Sequence, residues 1–105
     1  MKKIKEKQFQ KLVIESDKPV LVAFRAPWCE ACTAMGPALK AVAATFKGKA
    51  EVFEIDVDAD SDLADEYDIM SVPTFAVFAG GKRKWSRVGV IEGAKIEKAL
   101  GKWAK

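Results

Sequence analysis

Five consecutive apolar residues, Val20-Leu21-Val22-Ala23-Phe24, constrain the fold most. A strand of alternating polarity shows one face to water. An unbroken apolar run of β-forming residues instead predicts a strand buried on both faces, in the middle of a sheet with layers above and below it. Directly after it comes Arg25-Ala26-Pro27-Trp28-Cys29-Glu30-Ala31-Cys32, holding the only two cysteines of the 105 residues, and then a helical pattern. At the start of a helix, residues i and i+3 lie on one face, close enough to form a disulfide or to separate as two thiols. The first cysteine meets the unpaired N–H groups and the positive end of the helix, which stabilise a thiolate. A thiolate is the nucleophile of disulfide exchange.

Other uses of the pair fit less well. Zinc normally takes four Cys or His ligands, and two cysteines with no histidine do not complete a site within one chain. A metal- or cluster-bridged dimer, with two cysteines from each copy, stays open. As a staple, a bridge from Cys29 to Cys32 would constrain the unfolded chain by only about 2 kcal/mol. The net charge of +3 is slight and the charges are interleaved, so no nucleic-acid partner is expected. The basic start, Met1-Lys2-Lys3-Ile4-Lys5-Glu6-Lys7, leads into no apolar segment, and no 18-residue apolar run follows. These features predict no membrane partner and a cytoplasmic protein, where a cysteine pair is more often catalytic than structural. The length suits a single domain over residues 1–105, expected to be a monomer.

Along the chain, Lys3 to Glu6 reads as a short edge strand, and Phe9, Leu12, Val13 and Ser16 recur at helical spacing over about 6–16. Asp17-Lys18-Pro19 breaks that helix. A second helix starts near Cys29 with Met35, Leu39, Val42 and Phe46 on one stripe, kinked by Pro37. Ala50 to Val57 supplies a strand that should pair in parallel with the first. Leu63, Ala64 and Tyr67 mark a short helix in an acidic stretch, Asp56 to Asp68, that reads as a solvated face and lacks the calcium-loop pattern. Phe75 to Phe78 and Lys84 to Val88 form a hairpin around Gly80-Gly81, and Gly93 opens a last helix with Ile96, Leu100 and Trp103 on one face. The order βαβαβαββα predicts an α/β fold, a mixed sheet with helices on both sides.

With Trp28-Cys29-x-x-Cys32, Pro37, Ile69-Met70-Ser71-Val72-Pro73-Thr74 and Gly89 in this order, the chain resembles the thioredoxin family over nearly its whole length. The resemblance implies the thioredoxin fold and a thiol–disulfide oxidoreductase that reduces disulfides of client proteins. Cys29 would attack and form a mixed disulfide, and Cys32 would resolve it. Pro73 would be cis and set the Val72 backbone beside the cysteines to pair with an extended client segment. Trp28, Gly89 and Val90 would border the same groove. No cofactor would be bound, the redox-active Cys29–Cys32 disulfide doing the work, and a thioredoxin reductase using NADPH or ferredoxin would recharge it.

Two departures stand out. The family usually has a buried aspartate where this chain has Ala23, and the neighbouring position on the next strand is Glu54. Alternation puts Glu54 on the face of Val52, so Glu54 is expected to reach beneath Cys32 and accept its proton. Between the cysteines stands Glu30-Ala31 rather than Gly-Pro. The Glu30 carboxylate is expected to make the dithiol less stable relative to the disulfide, hence more reducing. Glu30, Asp58, Asp60 and Glu92 should form an acidic rim at the cysteine end, favouring clients with basic surfaces, with Lys82-Arg83-Lys84 at the far end. The alternatives are a disulfide isomerase or oxidant of higher potential, and a redox-silent peptide-binding module.

Overall fold

The apolar run forms a strand, β2 (Val20–Arg25), at the centre of a five-stranded sheet. A computed structural model describes residues 2–104. Around β2 the chain forms β1 (Lys2–Lys3), α1 (Glu6–Phe9, continued by a π-helical turn over Gln10–Ile14), α2 (Glu30–Ala34), α3 (Gly36–Thr45) and β3 (Glu51–Asp56). There follow α4 (Ser61–Glu66), β4 (Thr74–Ala79), β5 (Lys82–Val88) and α5 (Gly93–Gly101). The strand order is β1-β3-β2-β4-β5. β1, β3 and β2 run parallel, and β4 and β5 complete the sheet antiparallel. This is the mixed α/β sheet of the thioredoxin fold, as the sequence order predicts.

Alternation along β2 divides the core. Val20, Val22 and Phe24 face a layer containing Phe9 and Val13 of the first helix and Leu63 of α4. Leu21 and Ala23 face Leu39 and Val42 of α3 and Ile96 and Leu100 of α5. Both faces are dry, which is why β2 carries no polar residue before Arg25.

Five boundaries differ from the sequence expectation. β1 ends at Lys3 because the Lys5 N–H bonds to Gln8 Oε1 at 2.8 Å, turning the chain into α1 at Glu6. The Ile4 N–H still extends the ladder to the Glu54 carbonyl at 2.9 Å. Ser16 lies beyond the first helix, in a turn that its hydroxyl closes onto Lys18. The helix after the cysteines is broken at Met35 rather than merely kinked, so Pro37 falls in the first turn of α3, where its missing N–H costs nothing. In the hairpin, Gly80 and Gly81 both take positive φ (61° and 81°), the geometry a two-residue turn requires. β5 begins at Lys82, and a bulge pairs Val77 with Trp85 and Phe78 with Arg83, leaving Lys84 extra. Lys84 Nζ lies 5.2 Å from the ring of Trp103, which sits just past α5 but still packs on the Ile96–Leu100 layer.

Candidate active site

The C-terminal ends of β2 and β3 and the start of α2 meet at one end of the sheet. Cys29 is the N-cap of α2, with extended backbone (φ −87°, ψ 106°), and its Sγ accepts the Cys32 N–H at 3.1 Å. A capping side chain normally offers oxygen there, and sulfur takes its place. The Cys29 sulfur thus stands at the positive end of α2. Both thiols are free, and both are buried in a small cluster with Ala26, against Ala31, Val57 and Val72.

Burial pushes the Cys32 thiol up from 9.0 to about 11, and the Cys29 sulfur adds to this. The Ala26 backbone N–H and the Arg25 charge pull the other way. Because folding raises this value, the unfolded chain loses its proton first. Stability from the neutral Cys32 thiol is therefore complete below pH 9 and is lost as the pH rises towards 11. In the reduced protein, the urea midpoint is expected to fall more steeply across that window than in Cys32→Ala. Tyr67, also raised by burial, contributes equally to both and cancels. Parallel curves would contradict the burial of the thiol.

The Val72–Pro73 peptide bond is cis, the isomer the resemblance implies. Val72 packs on the cysteine cluster, and Thr74 Oγ1 donates to the Ser71 carbonyl at 2.7 Å to hold the loop. Gly89 has φ +95°, and a Cβ there would meet nothing within 4 Å, so glycine serves the backbone shape rather than clearance. Its N–H donates to the Pro73 carbonyl at 2.8 Å, tying the end of β5 to this loop.

Trp28 is 70% exposed and its Nε1–H donates to Asp58 Oδ2 at 2.7 Å, so the indole is held on the surface and is not a core residue. Trp28, Val57, Ile69, Met70, Ser71 and Val72 line an apolar hollow of about 270 Å³. Val90 is exposed but lines a different hollow, with Arg87, Ile91, Glu92 and Lys95. The structure thus brings Trp28 to Val72, and links Gly89 and Val90 to them through Pro73.

Glu54 is on the face expected, that of Val52, and lies opposite Ala23 in the ladder. It is 8% exposed, and its Oε2 accepts from Arg25 Nη1 at 3.0 Å, an ion pair the sequence reading missed. Arg25 and Glu54 line a hollow of about 370 Å³ with Pro27, Asp56 and Asp60, and neither cysteine reaches it. Asp60 corrects the expected acidic rim. It is turned inward, 9% exposed, and its Oδ1 accepts the Glu6 N–H at 3.2 Å, where the polarised start of α1 draws it. Glu30, Asp58 and Glu92 remain exposed.

Among the described residues, no group of three or more His, Cys, Asp or Glu is arranged to hold a metal ion. Among them, too, no helix is long and apolar enough to cross a membrane.

A family model described as "Thioredoxin" matches residues 1–104. "Thioredoxin M4, chloroplastic" of Arabidopsis thaliana is 38% identical over 97 residues, covering 92% of this chain and 50% of its own. The chain thus spans half the length of that relative. "Thioredoxin" of Chlorobaculum thiosulfatiphilum is 37% identical over 95 residues, covering 90% of this chain and 88% of its own. "Thioredoxin 1" of Nostoc sp. is 33% identical over 99 residues, covering 94% and 92%.

Proposed function

This chain belongs to the thioredoxin family, whose members are thiol–disulfide oxidoreductases, and on that premise we propose that it reduces disulfides of client proteins through Cys29 and Cys32. The observation that carries the proposal is the hydrogen bond from the Cys32 N–H to Cys29 Sγ at the start of α2, which presents two free thiols side by side. Cys29 thiolate attacks a client disulfide. One client sulfur joins Cys29 and the other leaves with the electron pair. Cys32 then attacks Cys29 Sγ, the Cys29–Cys32 bond forms, and the second client sulfur leaves and is protonated. The client gains two electrons and the protein becomes the disulfide.

Thioredoxins use their own dithiol and need no cofactor. In this proposal a thioredoxin reductase, NADPH- or ferredoxin-dependent, returns the electrons, in the cytoplasm. An extended client segment would pair with the Val72 backbone beside Pro73, with Trp28 on one side and Gly89 and Val90 on the other. The apolar hollow under Trp28 supports that use, since a pocket next to a reactive sulfur accepts side chains flanking a client cysteine. Glu54 enters this proposal as the acceptor of the Cys32 proton, a role it would have to perform while paired with Arg25.

The test is the reduction of insulin disulfides with a small dithiol as the electron source. The protein should accelerate chain separation well above the dithiol alone. No acceleration by the fully reduced protein would overturn the proposal.

A further inference from the structure

Large apolar side chains left in water close to one another mark a contact surface. Among the described residues four are so exposed: Trp28 at 70%, Met70 at 91%, and Val88 and Val90 at 61% each. All four belong to segments that meet at the Pro73 loop. Trp28 precedes Cys29, Met70 lies three residues before Pro73, and the valines flank Gly89, whose N–H bonds to the Pro73 carbonyl. Met70 is the most exposed of them and the one that carries sulfur. Met35, the other methionine among the described residues, is 4% exposed and packed in the layer of Leu39 and Val42. The backbone is held on both sides of Met70. The Ile69 N–H donates to the Ala64 carbonyl at 2.8 Å, and the Ser71 carbonyl accepts from Thr74 Oγ1 at 2.7 Å. Its exposure is therefore a fixed feature of the loop.

We propose that Met70 is a site of reversible oxidation by hydroperoxides, and that its sulfoxide weakens client docking in the apolar hollow it shares with Trp28, Val57, Ile69 and Val72. The inference goes beyond the disulfide-reductase reading and rests on it. As a thioether, Met70 is apolar and flexible, suited to packing against client side chains of varied shape. In the oxidation its sulfur attacks one peroxide oxygen and the O–O bond breaks. The sulfur keeps that oxygen and gives up two electrons, and the second oxygen leaves with them and is protonated to water or an alcohol. The product is polar, and a client side chain covering it would strip its water without supplying a donor. The cysteines do not line this hollow. Oxidant that reaches them yields the disulfide of the ordinary cycle, which a dithiol reopens. The sulfoxide is reversed by methionine sulfoxide reductases, so the mark outlasts recharging of the thiols.

The test starts from the whole protein with Cys29 and Cys32 closed as the disulfide, which withholds the thiols from the oxidant. Hydrogen peroxide is added and then destroyed, and peptide mass mapping locates the added oxygen. It should appear on the peptide holding Met70 and not on the one holding Met35. Insulin reduction, with a small dithiol as the electron source, should then show KM raised on the order of tenfold and kcat little changed. Reduction of bis(2-hydroxyethyl) disulfide, too small to need the hollow, should keep its rate. Methionine sulfoxide reductases of both stereospecificities should restore KM, and the dithiol alone should not.

Met70→Leu has no sulfur at this position, so peroxide should leave its KM at whatever value it starts from. Met70→Gln sets a polar side chain of similar length on the hollow and should raise KM without peroxide. A sulfoxide at Met70 that leaves KM unmoved would overturn the proposal. So would an equal loss in peroxide-treated Met70→Leu, which would place the damage elsewhere, with Trp28 the nearest candidate. Oxidation of Met35 ahead of Met70 would overturn it as well. Failure of the untreated protein to reduce insulin would instead overturn the disulfide-reductase reading, and this inference with it.

Discussion

Cys32→Ser is expected to stop turnover after the first attack, leaving each molecule joined to its client through Cys29. Cys29 keeps the helix start and the N–H of residue 32, so its attack persists. A serine hydroxyl does not displace a disulfide sulfur, so the adduct accumulates until an external thiol is added. Cys29→Ser should give no adduct and no insulin reduction. The remaining Cys32 is 6% exposed, and burial, which pushes its thiol up in the parent protein, leaves only a small fraction of it as thiolate at neutral pH. That small fraction is fatal against a free client and tolerable in the parent protein. Once the mixed disulfide has formed, Cys32 attacks within the same molecule, and effective molarities for well-placed groups reach about 10⁵ M or more. Proximity therefore outweighs the protonation penalty, and the order of the two cysteines follows. Intact mass measurement of each variant after exposure to insulin decides the point. Continued turnover by Cys32→Ser, or an adduct on Cys29→Ser, would contradict it.

Phe78→Ala should have the largest effect on the fold. Phe78 is 1% exposed, on β4 beside the central strand. Its ring meets Phe9 at 5.4 Å and 85°, and Tyr67 at 5.3 Å and 89°, both edge-on. Truncation removes the transfer energy of the ring, leaves a cavity and breaks two aromatic contacts, for about 3–5 kcal/mol. For a domain of this size that lowers Tm on the order of 20 °C. Tyr67 ends α4 and leads into the Ile69–Pro73 loop, so client reduction should decline before global unfolding. Thermal unfolding by circular dichroism checks it, and a shift of a few degrees would show that the cluster closes over the gap.

The parts of this fold legible in the sequence were those written in local pattern. An apolar run without polar interruption means burial on two faces, and β2 is the central strand. Two cysteines three apart at a strand–helix junction place sulfur at a helix start. Paired glycines after an apolar strand mark a hairpin. What was not legible depends on partners far along the chain. The Arg25–Glu54 pair requires the parallel register of β2 on β3, which sets Ala23 opposite Glu54 and brings Arg25 alongside. A lone arginine closing an apolar run was the available signal, with an acid on the next strand. Asp60 looks like any residue of a solvated acidic stretch until the start of α1 packs over it. Trp28 and Asp58 are 30 residues apart, and only the approach of two strand ends makes them neighbours. The break at Met35 was half visible, since Pro37 disrupts the helix without saying on which residue the turn is lost.

The reduction potential of the Cys29–Cys32 pair, measured by equilibration with a thiol–disulfide buffer, tests the central claim most directly. Each 30 mV corresponds to about 1.4 kcal/mol for this two-electron couple, so the sign of the reaction is read without ambiguity. A reductase requires a value below the cytosolic glutathione poise of about −220 to −260 mV, and that is the value expected here. A value well above that poise would mean that the pair accepts electrons from client thiols, making the protein an oxidant or isomerase and contradicting the account.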